Sequence, residues 1–528
     1  MEALKVVVAL AALGAIAVAA VVAGQFIAQW LAGLSIFQRL GVYLAASAAA
    51  TAALPGWGSS AAQWAFLGYW LAIWLFAGWM MRKAGGGYNA DHVRGNAIVP
   101  AKAVKAMLKR EDSQFSIGDI PFPRRFEVLG FLIVGAIGTG KSQTFHQILG
   151  PVRKNGQRAV VADVGGEFTA RYFKKGDQVF NPFDRRSISW SPLAEMRGEW
   201  DADKLAKSVV PDGFGSGAEW NGYAQTLLSA VLLRLWESGA GNNGEMLRLL
   251  TRAPADEIKN FVAGCPAEGL FAEGSERMLA SIMGILSSYI KPFQHLDPAA
   301  GNDAFSIRDW MENEDGSWLF LNFTDSQFPA LKPLIAAVLD VSISSLLEMK
   351  PNADRRCWFA VDEFATFGAI QSIEPLLTKG RKYGAAAILG LQSISQIRES
   401  YGQQKAQTLL GCLGTWTVLR CQDAETAEYM SRYVGDEEIR RETVSTSSKG
   451  IEMATTSTGS EWRTQRAVLP SEIAQLPNLT AILNVVGETP PCVVQIPVSQ
   501  GAEVAERFEA KPREKRLMQS ADPVADLA

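Results

Sequence analysis

Eight residues constrain this chain more than any others: Gly135-Ala136-Ile137-Gly138-Thr139-Gly140-Lys141-Ser142, a fit to G-x-x-x-x-G-K-[ST]. An apolar run, FEVLGFLIV (Phe126–Val134), leads in, and SQTFHQIL reads on as a helix. Strand, glycine-rich loop and helix in that order are what the motif needs. Glycines let the loop wrap with its N–H groups turned inward, and the helix N-terminus adds positive potential. Lys141 is then placed to neutralise β- and γ-phosphate charge, and the Ser142 hydroxyl to ligate Mg²⁺. The expected ligands are ATP and Mg²⁺.

Such a site needs carboxylates on a second strand tip. CWFAVDEF (Cys357–Phe364) offers them. Asp362 is positioned to hold the Mg²⁺ shell, and Glu363 to orient and polarise an attacking water. A carboxylate pair after an apolar run is more often a solvated strand end; beside a P-loop it gains weight. Gln392 ends AAAILGLQ and can sense the γ-phosphate from the neighbouring tip. Arg381, in LLTKGRKYG, reads either as an arginine finger for the next subunit or as part of a basic surface cluster with Lys379 and Lys382. The turn ADVGGEF (Ala162–Phe168) receives no role.

Around these motifs apolar runs alternate with helical patterns. The runs are Arg158–Val164, Ser317–Phe323, Cys357–Phe364, Ala385–Ser393 and Thr415–Cys421, with a helix expected over Ala330–Met349. The alternation predicts a doubly wound α/β sheet. Between Pro192 and about Ala304 the patterns are helical only, so an all-α domain over 193–304 is expected, inserted into a motor domain of 85–192 and 305–508. Residues Ala101–Arg110 read as a solvated surface helix. The stretch Thr443–Ser460, rich in Ser and Thr, reads as a mobile loop. The charged tail over 509–528 is expected to be disordered.

The N-terminal 84 residues belong to another solvent. Ala3–Gly24 and Ala61–Met81 each supply the ~20 apolar residues that a membrane helix needs. Trp64, Trp70, Trp74 and Trp79 stud the second, which ends on Arg82-Lys83. Lys5 and Arg82-Lys83 lie at the outer ends, while only Arg39 falls between the segments. The positive-inside rule places both termini in the cytoplasm and a short connection outside. The first segment is long for a signal peptide and its basic start is weak, so an uncleaved anchor is expected. Leu40–Leu54 is too short to span, and a third span would move the P-loop outside the cell.

Net charge is −3 across 528 residues, so contact with nucleic acid has to be local and salt-dependent. The five cysteines form no CxxC and no metal spacing with the three histidines, which fits reduced core residues in a cytoplasmic domain.

Taken together, two N-terminal spans, GAIGTGKSQ, ADVGGEF, NPFDRRSISWSPL, a helical insert, WFAVDEF, GRKYGAAAILGLQS and RAVLPSEIAQLPNLTAIL resemble the type IV secretion coupling proteins, the TraG/TraD/TrwB-like conjugation ATPases. The resemblance runs from residue 1 to about 500. It implies a RecA-like motor with a small helical domain, a homo-hexamer around a central channel, and anchorage in the bacterial inner membrane. It implies partners: single- and double-stranded DNA, a relaxase or relaxosome, and the inner-membrane channel proteins of the secretion system. It also implies Arg381 as the finger acting in trans and Gln392 as the sensor. The alternatives are a non-hydrolysing receptor for relaxase and channel, a coupling protein for protein effectors, and a DNA translocase of the chromosome-segregating kind. An intact Glu363 argues against the first, and the helical insert and NPFD block against the last. An ABC exporter fails for want of an LSGGQ-like signature.

Overall fold

Strands buried on both faces of a parallel sheet need near-continuous apolar sequence, and the apolar runs build such a sheet. The computed structural model describes residues 91–213, 217–447 and 455–512; both proposed membrane segments lie outside them. The strands are, in chain order, β1 (Asp91–Gly95), β2 (Val99–Pro100), β3 (Ser113–Ile117), β4 (Ile120–Pro123), β5 (Phe131–Val134), β6 (Arg158–Val164), β7 (Gln178–Val179), β8 (Trp318–Phe323), β9 (Cys357–Val361), β10 (Ala385–Leu391), β11 (Thr415–Val418), β12 (Asp436–Ser447), β13 (Thr455–Arg466), β14 (Thr480–Val485) and β15 (Cys492–Gln495). Ten of them form one sheet in the order β2-β15-β14-β11-β5-β10-β9-β6-β8-β7. From β11 to β7 all pairs are parallel, while β14 joins β11 and β15 antiparallel.

The order puts the P-loop strand β5 between β11 and β10, with β9 next beyond. Every residue of β5, β9 and β10 is buried. The helix Phe328–Glu348 is the one described segment long and apolar enough to cross a membrane, but most of it is buried inside the protein. It is a core helix whose apolar faces are covered by protein on several sides.

Three local expectations are corrected. The strand expected over Phe126–Val134 starts only at Phe131, and Arg124–Leu129 is a 3-10 turn. Gly130 breaks the run with φ 76°, and a side chain there would meet Leu413 Cδ2 at 2.8 Å. The expected mobile loop over Thr443–Ser460 is strand at 443–447 and 455–460, paired in one long β12–β13 hairpin. Threonine is β-branched and suits a pleated strand, which outweighed its frequency in loops. The tail expected to be disordered over 509–528 is held in place at its start, 509–512, and the remainder, 513–528, lies outside the described residues. Arg185 N–H donates to the Glu509 carbonyl at 2.7 Å, Lys511 N–H to the Phe183 carbonyl at 3.0 Å, and the Arg185 guanidinium pairs with the Glu509 carboxylate. Two arginines of NPFDRRS supply the partners that composition alone does not reveal.

Between β7 and β8 the chain is helical, with its longest segments at Gly217–Glu237 and Glu276–Ile290. The helical stretch is pinched at its neck. Phe305 N–H donates to the Ser189 carbonyl at 2.9 Å. Buried Glu195 accepts from Trp190 Nε1 at 2.8 Å and from the backbone N–H groups of Ile307 at 2.7 Å and Arg308 at 3.0 Å. These bonds satisfy a carboxylate that would be costly to bury bare, and they join the chain entering the helices to the chain leaving them.

Candidate functional site

The loop after β5 is shaped by its glycines. Gly138 takes φ 75° and Gly140 φ 119°, values an L side chain rarely adopts. A side chain at Gly138 would meet nothing within 4 Å, so the loop leaves open space on that side. Neighbouring strands fix its base. Gly135 N–H donates to the Leu391 carbonyl at 3.1 Å and Ala136 N–H to the Arg420 carbonyl at 2.9 Å. Ile137 crowns the loop and is 80% exposed. The helix Lys141–Lys154 starts at the motif lysine, and Ser142 is half-buried in its first turn.

Lys141 is buried, and its Nζ has no hydrogen-bond partner among the described residues. A buried ammonium without partners is costly unless something anionic joins it. The nearest anion is Glu363, whose Oε1 lies 3.6 Å away. The same oxygen accepts from Gln392 Nε2. Glu363 follows β9 with φ 60°, a left-handed conformation that costs a non-glycine residue about 1 kcal/mol or more. Thr366 steadies it by donating through N–H at 3.0 Å and Oγ1 at 2.7 Å to the Glu363 carbonyl. Asp362 sits deeper. Burial pushes its carboxyl up to about 6, with nearby Lys141 pulling it down and Glu363 pushing it up. Lys141, Asp362, Glu363 and Gln392, drawn from three strand tips, are therefore brought together.

Arg381 is not brought to them. It lies in a 3-10 turn, Gly380–Tyr383, ahead of β10, whereas Gln392 follows that strand. A seven-residue strand spans about 20 Å, so Arg381 is at the opposite edge of the sheet. It is exposed and makes no ion pair among the described residues.

Two features had no clear signal in the motifs. Gly390 faces Asp362: a side chain there would come within 2.7 Å of Asp362 Oδ1 and 3.3 Å of Asp362 Cα. The glycine inside GLQS is the trace of this close approach. From far along the chain, Leu479, at φ 63°, donates its N–H to the Thr139 carbonyl at 2.8 Å. Its side chain would touch any residue larger than glycine at 140. The LPNLT segment thus braces the P-loop from outside.

A buried lysine without a hydrogen bond, a cradle open at Gly138 and a recessed carboxylate fit a triphosphate with a divalent cation. Among the described residues no group of three or more His, Cys, Asp or Glu side chains could hold a metal alone; in phosphate sites the phosphates and water supply part of the Mg²⁺ shell.

Known proteins share this sequence pattern and fold. A family described as "Type IV secretion-system coupling protein DNA-binding domain" matches residues 114–497. The coupling protein TraD of Escherichia coli K12 is 27% identical over 450 residues, covering 83% of this chain and 63% of TraD. An Escherichia coli conjugal transfer protein TraG is 24% identical over 340 residues, covering 55% of this chain and 53% of TraG. The chain thus spans under two thirds of the length of these relatives. The conjugative coupling protein TrwB, solved without its first 70 residues, superposes with a TM-score of 0.74 at 33% identity, covering 80% of this chain and 98% of that one. TrwB solved with the ATP analogue ADPNP superposes with a TM-score of 0.74 at 32% identity, covering 81% and 99%. This mixed α/β sheet around a P-loop has the RecA-like architecture of those proteins, and the chain belongs to the family of type IV secretion-system coupling proteins.

Proposed function

We propose that the protein is an inner-membrane ATPase that couples a relaxosome to a type IV secretion channel and drives DNA transfer in conjugation. The observation that carries this reading is the convergence of Lys141 and Gln392 on one oxygen of Glu363. A carboxylate so gripped is aimed, and aiming a water is what hydrolysis requires of it. ATP with Mg²⁺ supplies a transferable γ-phosphoryl group and the cation charge that stabilises its transfer. Lys141 Nζ neutralises phosphate charge in the space left by Gly138. Ser142 and Asp362 are the residues to hold Mg²⁺. Glu363 orients the attacking water and takes up its proton, and Gln392 keeps Glu363 in register with the phosphate.

Arg381 acts on a neighbouring subunit. Its exposure and its distance from its own chain's P-loop support a finger delivered in trans, and hence a homo-hexameric ring. The motor comprises 85–192 and 305–508, with 193–304 as an all-α domain. Two spans near 3–24 and 61–81 anchor it, leaving both termini and the motor in the cytoplasm. Its partners are single- and double-stranded DNA, the relaxase and the inner-membrane channel proteins. The test is conjugative transfer by cells carrying Lys141→Ala or Glu363→Gln. Both variants should insert in the membrane and transfer no DNA; transfer at the normal rate by both would sink the motor reading.

A further inference from the structure

One acidic side chain near the nucleotide site remains without a role: Glu167, in the turn after β6. Strand β6 is the immediate neighbour of β9. Ala162 pairs with Val361, so one residue further Asp163 lies level with Asp362. Four residues beyond Asp163 comes Glu167, on the same edge of the sheet as Asp362 and the P-loop.

The turn is built to aim it. Gly165 and Gly166 take φ 83° and 73°. Asp163 is fully buried and accepts from Thr169 N–H at 2.6 Å, Thr169 Oγ1 at 2.7 Å and Phe168 N–H at 3.2 Å. These bonds fix the first turn of the short helix Glu167–Tyr172. From outside, the Arg507 carbonyl packs so close to Gly166 that a side chain there would approach it to 2.7 Å.

The carboxylate itself is gripped by the P-loop helix. His146, five residues after Lys141, has no exposed side-chain surface. Its Nε2 lies 2.8 Å from Glu167 Oε1 and its Nδ1 2.9 Å from the Tyr172 hydroxyl. The Tyr172 hydroxyl also lies 3.4 Å from the His146 carbonyl; when it donates to the nearer Nδ1 instead, Nε2–H is the donor to Glu167. One imidazole thus sets both the direction of Glu167 and its tie to the helix that follows the P-loop. The other oxygen, Oε2, has no hydrogen bond among the described residues, and 41% of the side chain is exposed. The His146 hydrogen bond holds the carboxyl below the usual range, and its negative charge reaches Asp362.

We propose that Glu167, oriented by His146, is a positioning residue for Mg²⁺: its free oxygen accepts hydrogen bonds from water of the hydrated ion beside Asp362. The inner ligands are left to Ser142 and Asp362, the residues that follow the P-loop lysine and β9. A carboxylate two shells out matters to a metal site because it fixes the water that the ion carries. Mg²⁺ sheds its water reluctantly and retains several molecules in phosphate sites, so an outer acceptor on the adjacent strand tip has water to hold. The His146 link also means that the carboxylate moves with the P-loop helix. The inference rests on the Mg²⁺–ATP reading above.

The test uses the full-length protein in detergent, a fluorescent non-hydrolysable ATP analogue and a Mg²⁺ titration. Glu167→Gln should raise the Mg²⁺ concentration for half-maximal binding about tenfold while analogue affinity without Mg²⁺ stays within about twofold of wild type. His146→Leu should shift the midpoint in the same direction. His146→Gln, which retains a donor near the Nε2 position, should restore it. A purely structural Glu167 would lower thermal stability and leave the midpoint alone, and a midpoint within about twofold of wild type in Glu167→Gln overturns the inference. Should Glu167→Gln fail to fold, Glu167→Asp and His146→Leu decide, and wild-type midpoints in both overturn it equally. No Mg²⁺-dependent binding by the wild type would overturn the proposed function as well.

Discussion

The two halves of the nucleotide site are held in different ways. The P-loop half is local: eight consecutive residues, two of them glycines at positive φ, set its shape. The acidic half is assembled. Asp362 and Glu363 leave β9, but their placement depends on Gly390 and Gln392 from β10 and on Lys141 from the loop. A local device can be read from a motif. An assembled one shows its end groups in the sequence and hides what positions them.

Substitutions can break or sharpen this contrast. The largest effect is expected from Lys141→Ala, which removes the cation paired with Glu363 and the charge meant for the phosphates. ATP turnover should fall on the order of 10³-fold, measured by phosphate release, and nucleotide affinity should fall with it. Glu363→Gln should separate binding from chemistry, with turnover down on the order of 10²- to 10³-fold and analogue affinity close to wild type. Gly390→Ala tests the assembled half without touching a reacting group. Its methyl would sit 2.7 Å from Asp362 Oδ1, and such overpacking costs about 1–3 kcal/mol. Chemical denaturation should show that loss, and turnover should drop because Asp362 is displaced. Ile137→Ser marks the other extreme. The side chain is 80% exposed at the loop apex, so stability should change by less than about 0.5 kcal/mol.

The same division explains what the sequence makes legible. Buried parallel strands announce themselves as apolar runs, so β6 fills its run and β8, β9, β10 and β11 fall within theirs with an end trimmed. The run Phe126–Val134 overstates its strand because Gly130, with its positive φ, sits inside it. The sequence of β12 and β13 reads equally as loop because Ser and Thr serve both states, and only the cross-strand register decides between them. The placement of Glu506 and Glu509 depends on Arg185, Arg186 and Asp184, more than three hundred residues earlier in the chain. Lys141, Asp362, Glu363 and Gln392 were named from their motifs, and the fold brings them together. The brace at Leu479 and the His146–Glu167 pair were not, since each joins residues whose separate contexts look ordinary.

The central claim is that Glu363 performs hydrolysis rather than completing a binding site. The most direct measurement is ATP turnover by the full-length protein in detergent, with and without single-stranded DNA at low salt, for wild type and Glu363→Gln, alongside analogue binding by both. Wild-type turnover should rise with DNA, and the variant should bind the analogue normally but release almost no phosphate. Equal turnover by the two proteins would contradict that claim.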